Sequence, residues 1–246
     1  LAALTFAYAD LSDPQDTYPG RQRAEAAGRT VQVPEEYEPA LTTVRSGEYE
    51  TGKPFWNDRH YSRERQIYRN PDTRPSIVSF YSEIIGSRRL AKIILKEAYL
   101  NEVPFSLAVA LAYVESSFDP KAVNVNASSI DRGLFQLNNR SFPDLTQQEF
   151  FDPRTNAAAG LDYLRWCLEH GDNEIVALAM YNAGRRRVNE RGAPKMTLTH
   201  ISKIFSYRTH ITEQFTASFG LFQAAGQRDI SEERMAEAVD TRRPAD

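Results

Sequence analysis

Glu115 is the residue of this 246-residue chain best placed to move a proton. It follows a run, Val103 to Val114, with ten apolar residues in twelve. A helix that is apolar on every side belongs in a core. Counting back by helical spacing, Ala112, Leu111, Ala108 and Leu107 share its face. The carboxyl therefore sits on an apolar stripe at the point where a buried helix ends. Desolvation at such a place raises a carboxyl pKa, and a carboxyl still protonated near neutral pH can act as a general acid. The competing reading is a helix-end Glu paired with an Arg or open to water, since structural pairs also perturb titration.

Two polar strings accompany it. Glu115-Ser116-Ser117-Phe118-Asp119-Pro120 leads into Asn124-Val-Asn126-Ala-Ser-Ser-Ile-Asp131-Arg-Gly133-Leu134-Phe135-Gln136-Leu137-Asn138, and Ala179-Met-Tyr181-Asn182-Ala183-Gly184 comes later. Glycine at 133 lets backbone approach a ligand closely. Gln136 and Asn138 offer donors and acceptors to hydroxyl and amide groups, although Gln136 serves equally well as a loop-to-loop bond. Tyr181 can hold its OH beside a carboxyl, or be a core tyrosine with a buried partner. Asn182-Ala-Gly184 also reads as a helix end with glycine in the left-handed region. Gly220-Leu-Phe-Gln223 repeats the Gly133 tetrapeptide, but Ala224 follows it, so context makes it a helix end or tail.

In this order and at these spacings the strings resemble the lytic transglycosylase (SLT) family of lysozyme-like, peptidoglycan-cleaving enzymes. The resemblance runs from about Leu90 to Val188, with a looser trace to about Phe215. It places the family's catalytic glutamate at Glu115, its substrate-lining loop at Gly133 to Asn138 and its cleft wall at Tyr181 to Gly184. The substrate-binding set it implies is Ser116, Gln136, Asn138, Tyr181 and Asn182. Two features differ from many members. Ile130-Asp131 stands where a small Gly-Ala pair is common, and Met196-Thr-Leu-Thr-His200 stands where many have Pro-Glu-Thr. The N-x-N…S-x-D-x-G-L-x-Q-x-N form is similar to the branch associated with secretion systems and specialised wall remodelling.

The resemblance implies cleavage of the MurNAc–GlcNAc bond. Glu115 protonates the leaving oxygen, the 2-acetamido group supports the oxocarbenium charge, and Glu115 then takes the proton of the attacking 6-OH. A 1,6-anhydro sugar results and no water is consumed. The nearest rival is a hydrolytic lysozyme with Asp119 or Asp131 as second carboxylate, about 5–9 Å from Glu115. Asp119-Pro120 reads better as a turn, and Asp131 as a brace of the Gly133 loop. A rival of another class is a glycan-binding or assembly module without turnover.

The elements that must position these residues are helical. From Ser76 the apolar spacing becomes i, i+3, i+4 at Ile77, Phe80, Tyr81, Ile84 and Ile85. Gly86-Ser87 interrupts it, and Ser87 can cap a second helix running to about Leu100. Pro104 opens a third, Asp152-Pro153 a fourth that stops at Gly171, and Asp172 caps a fifth. A sixth is expected over about 198–217. The fold expected is all-α and lysozyme-like over 76–217, preceded by a Pro-rich, largely irregular arm over 10–75 and followed by a charged tail over 218–246.

Seven of the 13 prolines lie in that arm, and proline breaks helices at such spacing. Residues 53–74 are richer in aromatics and Arg and read as a solvated linker rather than as a segment that packs on the domain or contacts an anionic partner, and the arm as a whole could hold a protein partner. Residues 1–9 are apolar except Thr5 and end Ala7-Tyr8-Ala9, a candidate signal-segment remnant that points to export into the periplasm or cell envelope. With Lys+Arg 30 against Asp+Glu 33, the chain lacks the basic footprint of a nucleic-acid binder. No apolar run approaches the ~20 residues of a membrane span. One cysteine, Cys167, and four scattered histidines form no metal-ligand spacing, so no metal or cofactor is expected.

Overall fold

The computed structural model describes residues 59–240, with side chains from 61 to 220. Residues 1–9 and most of the Pro-rich arm, with the expectations placed on them, lie outside the described residues. The elements in chain order are α1 (Arg59–Arg69), α2 (Arg74–Ile85), α3 (Arg88–Leu100), α4 (Phe105–Ser116), β1 (Val123–Val125), β2 (Ile130–Arg132), β3 (Leu137–Asn138), α5 (Gln147–Phe151), α6 (Pro153–His170), α7 (Glu174–Ala183), α8 (Arg185–Arg191) and α9 (Lys195–Asp240). Among the described residues the fold is all-α, as expected, apart from one small antiparallel sheet in the order β1-β2-β3. Its strands are two or three residues long, too short to leave a period-2 signal.

The central element is α4. Phe105 to Ala112 are all buried, and α9 and α3 pack along it. The helix starts follow local chemistry. Ser87 Oγ accepts from the Leu90 N–H and opens α3. Asp152 accepts from the Thr155 N–H ahead of Pro153 and opens α6. The cap of α7 is Asn173 rather than Asp172: its side chain accepts from the Val176 N–H at 2.9 Å. Gly184 ends α7 with φ 82° and ψ 141°, so φ is positive as expected but the residue is not in the left-handed helical region. The last helix begins at Lys195 and continues through the expected charged tail to Asp240, carrying Gly220 inside it. Phe215 and Phe219 explain why it does not stop at 217: their rings meet Phe80 edge-on at 5.7 Å and pin α9 to α2.

The linker expectation fails for residues 59–69. They form α1, whose Tyr68 ring packs edge-on against Phe105 at 5.1 Å. Its Glu64 is fully buried, accepting from the Tyr81 OH and from the Phe105 N–H at 3.1 Å. Pro104 has no side-chain acceptor to cap α4, so Glu64 supplies one from 41 residues away. Burial, partly opposed by these hydrogen bonds and by Arg208, pushes the Glu64 carboxyl up to about 7.

A folded pKa above the unfolded one means that the native state binds the extra proton. Stability from this group is full below pH ~4.5 and falls as pH rises through 7, by up to ~3 kcal/mol. Glu64→Gln keeps the shape without the charge. It is expected to flatten the decline in urea-unfolding stability between pH 5 and 8; an unchanged slope would refute the assignment. A fragment starting after residue 70 loses this cap and is expected to melt well below the full chain.

Candidate active site

Glu115 occupies the last turn of α4, with its side chain only 2% exposed. The partner observed there was not foreseen. His200, on α9, brings Nε2 to 3.1 Å from Glu115 Oε1, and the imidazole is 1% exposed. The histidine belongs to the string Met196-Thr-Leu-Thr-His200, and its signal in the sequence is its place beside the buried Ile201 and Ile204 on an apolar stripe.

The chain leaves α4 through Ser117 and Phe118, both with positive φ (52° and 65°). Among the described residues only Glu102 and Gln136 are the other non-glycine positions with positive φ. Three of the four therefore flank Glu115 or belong to the Gly133 loop. Such backbone costs of order 1–3 kcal/mol each and persists where surrounding structure fixes it.

That loop is held from four sides. Ser116 Oγ lies 2.8 Å from the Leu134 carbonyl and 3.0 Å from that of Ala112, and its single O–H ties loop to helix. Gln136, buried, donates from Nε2 to the carbonyls of Gly133 (2.9 Å) and Ala122 (3.2 Å). Tyr181 donates its OH to the Phe135 carbonyl at 2.9 Å, so its proton goes to backbone, and His200 holds the place beside the carboxyl. Asn156, which carried no motif, is fully buried and does the most. Its Oδ1 accepts from the Phe135 N–H, and its Nδ2 donates to the carbonyls of Arg132 and Phe150. Gly133 sits at φ 82° against that side chain.

Asn138 and Asn182 are likewise occupied internally. Asn138 donates to Ser129 Oγ (2.8 Å) and Asp131 Oδ1 (2.7 Å) and accepts from the Arg140 N–H. Asn182 Oδ1 accepts from the Thr197 hydroxyl at 2.7 Å, linking α7 to the start of α9. Ser116, Gln136, Asn138 and Tyr181 are thus gathered at the Gly133 loop and its sheet, with polar atoms engaged in setting their shape, whereas Asn182 joins two helices.

Asp131 is fully buried, and three amides point at it: Asn126 Nδ2 at 2.7 Å, Asn138 Nδ2 at 2.7 Å and Asn124 Nδ2 at 3.3 Å. Burial raises it to about 6, against the pull of those bonds, and the charge of Glu115 adds to the rise. The Tyr181 phenol is pushed well above its ordinary value, first by burial and then by Glu115, Cys167 and Asp131. It therefore remains a neutral O–H donor. Asp119 Oδ1 accepts from the Lys121 N–H in an exposed turn, as its sequence context implied.

The pattern that defines the transglycosylase SLT domain matches residues 92–202. The chain is also 33% identical over 99 residues to the soluble lytic murein transglycosylase of Escherichia coli K12, and equally to that of Escherichia coli O157:H7. Each match covers 35% of this chain and 15% of the relative, so the chain spans a small part of the curated proteins it matches. The matched span runs from α3 through Glu115 and the Gly133 loop to His200, so the residues similar to a transglycosylase SLT domain, 92–202, lie on an all-α, lysozyme-like frame.

Proposed function

We propose that this protein is a peptidoglycan lytic transglycosylase that cleaves the MurNAc–GlcNAc bond and leaves a 1,6-anhydro sugar. The observation that carries the reading is the asymmetry between the carboxyls of Glu115 and Asp131. Glu115 ends the buried helix with one oxygen on an imidazole, whereas Asp131 is enclosed by three asparagine amides.

The two-carboxylate hydrolytic routes need a second carboxylate open to the sugar or to a water molecule. Asp131 has no exposed surface and both oxygens are engaged, so it serves as the anchor of the β1–β2–β3 sheet. Glu115 then does both halves of the work. It gives its proton to the glycosidic oxygen as the C1–O bond breaks, and recovers one from the 6-OH as the C1–O6 bond forms. The sugar's own hydroxyl replaces water, and a site that excludes water favours that outcome.

This reading implies export to the compartment that holds peptidoglycan, with glycan strands as partner and wall remodelling as role. The residues before α1 are the segment proposed to meet a protein partner. Asp131→Asn tests the division of labour. It is expected to lower activity on purified sacculi modestly, within about tenfold, and to leave an anhydro product one water lighter than a hydrolytic one. Loss as complete as that of Glu115→Gln, with reducing-end MurNAc from the wild type, would establish a two-carboxylate lysozyme instead.

A further inference from the structure

The contact between His200 and Glu115 joins two side chains that are almost without solvent exposure, from helices whose contacting residues lie 85 positions apart. A carboxyl terminus turns in a broad, roughly two-fold torsional well, so a general acid needs something to set its plane. We propose that His200 is the positioning residue for Glu115: its Nε2–H donates to Oε1 and keeps the acidic proton on Oε2. The proposal rests on the reading of Glu115 as the acid–base group.

The argument turns on which imidazole nitrogen carries hydrogen. Neutral histidine has one donor and one acceptor nitrogen. As an Nε2–H donor, His200 bonds the carbonyl oxygen of the protonated carboxyl, which leaves the proton to Oε2. After transfer the same N–H bonds the carboxylate, now with charge assistance. The bond therefore serves both halves of the reaction and strengthens in the second. In the other tautomer, Nε2 would accept the carboxyl proton on Oε1 and draw it toward the ring.

Proton balance is complete without the ring titrating. Oε2–H passes to the glycosidic oxygen as its bond to C1 breaks. The 6-OH proton returns to Oε2 as O6 bonds C1. His200 keeps its N–H throughout, a donor fixed before the charge develops.

The test uses the full chain on purified sacculi, measuring kcat and KM for muropeptide release. His200→Phe keeps a ring without the donor, and His200→Gln places an amide N–H near the Nε2 position. The phenylalanine variant is expected to lose about 10–100-fold in kcat with KM within about twofold. The glutamine variant is expected to recover to within about tenfold of wild type.

Wild-type kcat in His200→Phe, a change confined to KM, or equal loss in both variants would overturn the proposal. Should His200→Phe not give a cooperative melt, nitrogen-detected NMR of the wild-type imidazole decides. An Nε2–H tautomer whose signal shifts in Glu115→Gln supports the assignment, and an Nδ1–H tautomer contradicts it. Full activity in Glu115→Gln would instead remove the acid–base reading itself, an outcome separate from any behaviour of the His200 variants.

Discussion

Glu115→Gln is expected to lower release of soluble glycan from sacculi by about 10²–10⁴-fold while circular dichroism and melting stay near wild type. Glutamine fills the same volume and can still meet His200, so the packing between α4 and α9 should survive. What it cannot do is give a proton to a leaving oxygen and take one back. A second acid cannot readily compensate: Asp131 is fully buried and held by three amides, and Asp119 lies in an exposed turn. Near wild-type turnover with an unchanged fold would remove Glu115 from the mechanism.

Gly133→Ala is expected to be among the most damaging substitutions for the fold. A Cβ at 133 would collide with the Phe150 carbonyl oxygen and with the Asn156 side chain, whose Cγ would lie at 2.7 Å. Neither neighbour can yield cheaply. Asn156 bonds three backbone groups at once, and the Phe150 carbonyl is one of them. The positive φ of 82° adds conformational cost. Together these come to about 2–5 kcal/mol, a fall in melting temperature of roughly 5–15 °C for a domain of this size. Gly86→Ala is the control, because Gly86 has φ 71° but open space where a Cβ would go. It should cost only about 1–2 kcal/mol. Equal melting of the two variants would show that the loop yields, and the close packing of Asn156 on Gly133 would no longer explain the glycine.

What the sequence made legible was local. The all-apolar run before Glu115 specifies a buried helix, since no face of it can be left in water. Ser87 and Asp152 announce their helices because a cap bond spans three residues. The order of Glu115, the Gly133 loop and Tyr181 was readable as motif. The bonds that shape the site were not. Glu64 caps α4 across 41 residues, Asn156 reaches Phe135 across 21, and His200 reaches Glu115 across 85. An apolar stripe marks His200 as buried, but no pattern marks any of the three pairings, because each joins a single polar residue to a partner chosen by tertiary packing.

The same reason explains the role reversal among the expected substrate residues. Gln136, Asn138 and Tyr181 have the side chains a sugar would want. In a loop with strained, buried backbone, however, orphaned carbonyls and a buried carboxylate take those donors first. The linker reading of 59–69 failed for a related cause. Charge density there is high, yet Glu64 and Tyr68 face inward, and one buried helix face is enough to fix a segment on the core.

Digestion of sacculi in heavy-oxygen water is the most direct test of the central claim, that Glu115 alone drives a non-hydrolytic cleavage. The sugar's own 6-OH is the proposed nucleophile, so the released muropeptides should end in anhydro-MurNAc and carry no heavy oxygen at C1. Products that end in reducing MurNAc with one heavy oxygen per cleavage would show that water is the nucleophile and would contradict the account.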